Sequence, residues 1–114
     1  MNSARGQIVI VSQMFDPRGR NPKDRRCVVV DPIDPADRVP TLFVVAISTT
    51  LPDPLPDFCV PLPWQLPRHP VTGLTARCAA VCNWVAEVDA SRILRLAGVV
   101  PSKPMAAILA QLGR

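Results

Sequence analysis

The sequence predicts a mainly β fold, a small antiparallel barrel with one C-terminal helix, and three observations carry that prediction. Short β-branched runs recur through the first half, at 8–11, 27–30 and 42–47, each bounded by turn residues. Fourteen prolines in 114 residues argue against long helices, because proline lacks the backbone donor that a helix interior or central strand requires. Apolar residues at helical spacing gather near the end, where Met105, Ile108, Leu109 and Leu112 fall on one face. A hydrophobic content of 48% with 19% charged residues suits one folded domain over 1–114 with a single modest core.

Residues 6–11 read as the first strand. Residues 14–26 form a polar loop, since Asp16-Pro17-Arg18-Gly19 and Asn21-Pro22 are turn signals. The second strand covers 27–31, an Asp- and Pro-rich turn covers 32–40, and the third strand covers 42–48. Residues 51–56 are excluded from a sheet centre, because Pro52, Pro54 and Pro56 would remove three ladder donors. A short edge strand at 58–62 is followed by a Pro-containing loop at 64–72, with Trp64 packed on the barrel surface. Residues 73–82 and 86–89 read as two further strand segments, and 91–100 fits either a strand or a short helix. Ser102 suits a helix N-cap, Pro104 is tolerated in the first turn, and Gly113 can end the helix.

The formal charge is +4, and its placement is more informative than its size. Arg18, Arg20, Lys23, Arg25 and Arg26 stand against Asp24 alone within 18–26, a window that equals the net charge of the chain. Such focusing points to an acidic partner, nucleic acid or an acidic peptide; the plain alternative is a solvated basic loop. If the runs at 27–30 and 42–47 pair antiparallel, the start of one lies beside the end of the other. Arg26 and the hydroxyl cluster Ser48-Thr49-Thr50 then share one sheet edge. Forked guanidinium donors with a neighbouring hydroxyl make a site for phosphate.

Cys27, Cys59, Cys78 and Cys82 lack close metal-ligand spacing, and the single histidine, His69, sits in a Pro-rich loop. They are expected to be reduced, buried small hydrophobes, with no metal site. No signal-peptide core and no apolar run of about 20 residues is visible, so a cytoplasmic protein without a membrane partner is expected.

Gly6-Gln7-Ile8-Val9, Asp16-Pro17-Arg18-Gly19, Arg26-Cys27-Val28-Val29-Val30, Val45-Ala46-Ile47-Ser48, Gly73-Leu74 and Val88-Asp89-Ala90-Ser91-Arg92-Ile93 occur in an informative order. Together they resemble the PemK/MazF family, the ribonuclease toxins of bacterial toxin–antitoxin pairs, over nearly the whole chain. The resemblance implies an SH3-like barrel that dimerises and cleaves single-stranded RNA without metal or cofactor, through attack of a ribose 2′-hydroxyl on its phosphate. It also implies a cognate antitoxin with an acidic, initially disordered segment. On this reading Arg26 stabilises the developing charge and Ser48 orients the phosphate, with Thr49 as its substitute. Arg18, Arg20, Lys23, Arg25, Thr49 and Asn83 would contact RNA. The chain departs from the family where an acidic residue is replaced by Asn83, an arginine by Ala86, and a proline by Cys27. Asparagine cannot act as a base near neutral pH. The competing reading is therefore a non-catalytic module on the same fold, binding gyrase as CcdB does or binding RNA without cutting it. A third is an interaction domain whose basic loop serves solubility alone.

Overall fold

The computed structural model describes residues 3–34, 36 and 38–114. Two residues of the expected 32–40 turn, 35 and 37, lie outside the described residues. Six strands form one antiparallel sheet: β1 (Gln7–Met14), β2 (Lys23–Ile33), β3 (Thr41–Ser48), β4 (Cys59–Pro61), β5 (Ala79–Asp89) and β6 (Ile93–Val99). The helix α1 (Ser102–Gln111) follows. The spatial order is β4-β5-β3-β2-β1-β6, so β2 and β3, with their apolar runs, occupy the middle. No helix among the described residues is long and apolar enough to cross a membrane.

Cys27, Val28, Val29 and Val30 are all buried, as are Val44, Val45 and Ala46. Consecutive strand residues point to opposite faces, so both faces of this sheet must be covered. One face carries Ile8, Val28, Val30 and Val45 against Met105 and Ile108 of α1, together with Leu62, Leu74 and Cys78 from the long β4–β5 connection. The other carries Val9, Val11, Cys27, Val29, Val44 and Ala46, closed over by Trp84, Ala86 and Ile93 from the outer strands. That second layer has no helix. The sheet coils around it, helped by register breaks in four of the five strand pairings, because an extra residue bends and twists a strand. The result is the expected small barrel-like fold with a C-terminal helix.

Several boundaries differ from the sequence expectation. β1 runs on to Met14 and β2 begins at Lys23, so the polar loop is confined to 15–22. The reason is a bulge in β1: Val11 pairs with Arg25 but Met14 pairs with Lys23, which carries the ladder into the charged stretch. Residues 73–78 are not strand, and the expected two later segments are one strand, β5. Its pairing with β3 jumps from Val45↔Val85 to Ile47↔Ala80, so residues 81–84 arch past Ala46 within a continuous strand. The ambiguous 91–100 segment resolves into a short 3₁₀ turn, Ala90–Arg92, and β6. Ser102 is the first helical residue and not the cap. Pro101, with φ −60 and ψ 158, occupies the cap position and supplies no side-chain hydrogen bond. Gly113 ends the helix in the left-handed region, with φ +73.

Candidate functional site

Side-chain alternation on β2 separates the two neighbouring arginines. Arg26 lies on the face of Val28 and Val30, toward α1 and the β4–β5 connection, whereas Arg25 lies on the face of Cys27 and Val29. Both nevertheless line the first of two clefts.

The first cleft, about 210 Å³, is lined by Asp24, Arg25, Arg26, Thr49 and Thr75 over a floor of Ile47, Leu74 and Cys78. Arg26 is exposed and makes no hydrogen bond or ion pair with another described residue. Its charge is nevertheless felt inside: burial pushes the Cys78 thiol up, and Arg26 opposes that rise. A guanidinium with an uncommitted fork, two flanking hydroxyls and an apolar floor can seat a phosphate group.

The second cleft, about 300 Å³, lies between the 15–22 loop and the arch of β5, and is lined by Phe15, Asp16, Asn83, Trp84, Glu87 and Arg92. Arg92 lines it, and Arg25 of the first cleft braces it through Trp84; both arginines are committed. Arg25 Nε donates to the Met14 carbonyl at 2.8 Å and Nη2 to the Asn21 carbonyl at 2.6 Å, while its guanidinium sits 5.0 Å from the Trp84 ring centre. Arg92 Nη2 donates to the carbonyls of Ser12 at 2.7 Å and Gln13 at 3.1 Å. The loop is fixed by Asp16, whose Oδ1 accepts the amides of Arg18 and Arg20, both at 2.9 Å, and whose Oδ2 accepts Asn21 Nδ2 at 3.0 Å. These bonds, the Arg20 amide first and the Asn21 side chain next, hold the Asp16 carboxyl below its ordinary value.

The expected site residues are thus divided. Arg26 and Thr49 come together. Ser48 reaches the same sheet edge, but its Oγ donates to the Thr50 carbonyl and accepts the Thr50 amide, both at 3.1 Å, and it does not line the first cleft. Continuing the Cys27↔Ala46 register sets Ser48 opposite Arg25, on the other face from Arg26. Asn83 belongs to the second cleft. Arg18, Arg20 and Lys23 are exposed along the loop and the start of β2. Sequence reasoning missed Thr75, which sits in a stretch without periodicity, and Asp24, which the two-residue repeat of β2 places beside Arg26.

The four cysteines are free and buried, as expected. Burial raises every thiol, and pushes Cys27 up to about 12. His69 serves its own loop: its Nδ1 accepts the amides of Val71 at 3.2 Å and Thr72 at 3.1 Å.

A family model described as PemK-like, MazF-like toxin of type II toxin–antitoxin system matches residues 4–114 of the chain. No curated protein matches it.

Proposed function

This chain belongs to the PemK-like, MazF-like toxin family of type II toxin–antitoxin systems, and from that premise we propose that it is a metal-independent endoribonuclease. It would cleave single-stranded RNA by attack of a ribose 2′-hydroxyl on the adjacent phosphate. The observation that supports this reading best is Arg26: a guanidinium with no hydrogen bond or ion pair to another described residue, lining a cleft with Thr49 and Thr75. Such a fork matches the equatorial oxygens of a phosphorane and gains strength as negative charge builds there. Thr49 orients the phosphate beside it. Ser48 acts one step back, closing through Thr50 the turn that presents Thr49. Arg18, Arg20 and Lys23 follow the RNA backbone, and Arg25 holds the wall between the clefts. Asn83 hydrogen-bonds a base entering the second cleft, where an unstacked nucleotide is the form in which RNA sequence is read.

Two partners follow from the same reading. An antitoxin with an acidic segment, disordered until bound, would cover the basic 15–22 loop. A second copy of the chain would cover β6, an edge strand on which Leu94, Leu96 and Val99 are exposed. Cytoplasmic RNA is the expected substrate pool.

The test is incubation of purified protein with a long mixed-sequence RNA in EDTA, mapping each new 5′ end, with Arg26→Ala alongside. Discrete cuts that vanish in the variant are expected. Intact RNA from folded wild-type protein would transfer the lead to the non-catalytic binding module, the reading that Asn83 favours.

A further inference from the structure

We propose that Asp24 is the group that takes the 2′-hydroxyl proton, in place of the acid that Asn83 does not supply; this rests on the ribonuclease reading. Among the residues lining the first cleft, Asp24 is the only carboxylate. It lies two residues before Arg26 on β2, so both side chains leave the same face of the strand, about 7 Å apart along it. A phosphodiester held on Arg26 can span that distance with its adjoining ribose.

The carboxylate is held for the task by β1. Gln13 sits in the bulge, at φ +50, a conformation that a side-chain-bearing residue rarely adopts. From there its backbone amide and its side-chain Nε2 both donate to Asp24 Oδ1, each at 3.2 Å. Oδ2 accepts no hydrogen bond from a described residue, and Asp24 forms no ion pair with Arg25 or Arg26. Arg25 also lines the cleft, but its Nε and Nη2 donate to the carbonyls of Met14 and Asn21. The bulge thus holds Oδ1 and leaves Oδ2, on a residue that lines the cleft, without a hydrogen bond from a described residue.

The chemistry balances within the substrate. The 2′ proton passes to Asp24 Oδ2 as the 2′ oxygen bonds to phosphorus. The bond from phosphorus to the 5′ oxygen breaks, and the leaving oxygen keeps its electron pair and takes a proton from solvent. The products are a 2′,3′-cyclic phosphate and a 5′-hydroxyl, and Asp24 returns its proton to water.

The experiment compares wild type, Asp24→Asn, Asp24→Glu and a matched control, Asp57→Asn, an exposed carboxylate outside both clefts. Single-turnover cleavage is measured in EDTA across pH, and affinity is measured with an uncleavable RNA carrying a 2′-deoxy residue at the mapped cut. Loss of about 10²–10⁴-fold in rate is expected for Asp24→Asn, with affinity unchanged within threefold and the acidic limb of the pH profile abolished. The other charged or titratable groups lining the cleft are Arg25, Arg26 and Cys78, none of which Asp24→Asn removes. Asp24→Glu should recover part of the rate, and Asp57→Asn all of it. If wild type cuts and Asp24→Asn cuts within threefold of it, Asp24 is not the base, while the ribonuclease reading stands. If folded wild type cuts nothing, the ribonuclease reading falls and this inference with it.

Discussion

Arg25 and Arg26 are adjacent in the chain, carry the same charge and lie near the start of the same strand, yet their donors are committed differently. Arg25 spends its donors on the carbonyls of Met14 and Asn21 and its flat face on Trp84. It is a strut that ties the 15–22 loop to the sheet. Arg26 has no hydrogen bond or ion pair with another described residue and lines a cleft with Asp24, Arg25, Thr49 and Thr75. The difference follows from the two-residue period of a strand, which sends one side chain to the coiled inner face and the next to the face of α1. A charge count alone cannot separate these two arginines, which line one cleft; the hydrogen bonds of Arg25 do.

The sharpest way to break this comparison is to truncate each arginine in turn. Arg26→Ala should lower the single-turnover cleavage rate by about 10²–10³-fold, the scale of losing one preorganised donor to developing charge, and leave the melting temperature within a degree or two. Arg25→Ala should do the reverse. Losing two charge-assisted hydrogen bonds and a cation–π contact, part-buried, should cost about 2 kcal/mol in urea unfolding. Any loss of activity should then follow from loosening of the loop. Equal effects of the two variants on both readouts would erase the distinction.

A smaller effect separates the hydroxyls. Thr49→Val should slow cleavage about tenfold, one hydrogen bond's worth, because Thr49 lines the cleft with Arg26. Ser48→Ala should slow it less, since among the described residues its Oγ bonds only to Thr50. The reverse ranking would mean that the turn at 48–50 rearranges when RNA binds. The basic loop should show itself through salt and not through rate. Replacing Arg18, Arg20 and Lys23 together with alanine should reduce the slope of log affinity against log salt by about 2, given roughly 0.7 per neutralised phosphate on a single strand.

These contrasts also show what the sequence can carry. The sheet and helix were legible because β-branched runs and the Met105–Ile108 stripe have clear periods. That Arg26 and a hydroxyl cluster share one edge followed from antiparallel pairing alone. Which hydroxyl faces Arg26 did not follow. A shift of one residue in register exchanges every side chain between faces, and the register Cys27↔Ala46 sends Ser48 to the side of Arg25 and leaves Thr49 with Arg26. Thr75 and Cys78 come from a Pro-rich connection with no period to read, and only packing brings them to the cleft. Asp24 was readable from its spacing to Arg26, but its negative charge amid five positive ones made it look like a minor offset.

The smallest effect concerns the loop that Arg25 braces. The Asp16 carboxyl is held below its ordinary 3.8, chiefly by the Arg20 amide. A group whose value falls on folding contributes above its unfolded value, and the contribution fades as pH drops through the folded one. The closed loop should therefore be intact at neutral pH and begin to open only below about pH 4. In an NMR titration the amides of Arg18 and Arg20, both bonded to Asp16, should shift together in that window, while the Val28 amide in the middle of the sheet stays still. Asp16→Asn should weaken the closure at every pH, because a neutral side chain accepts the two amides less strongly. It should also lower the Arg25-dependent part of stability, since both residues hold the same loop. If Asp16→Asn and Arg25→Ala add without coupling, the loop is fastened at two independent points, and the second cleft owes its shape to the β5 arch alone.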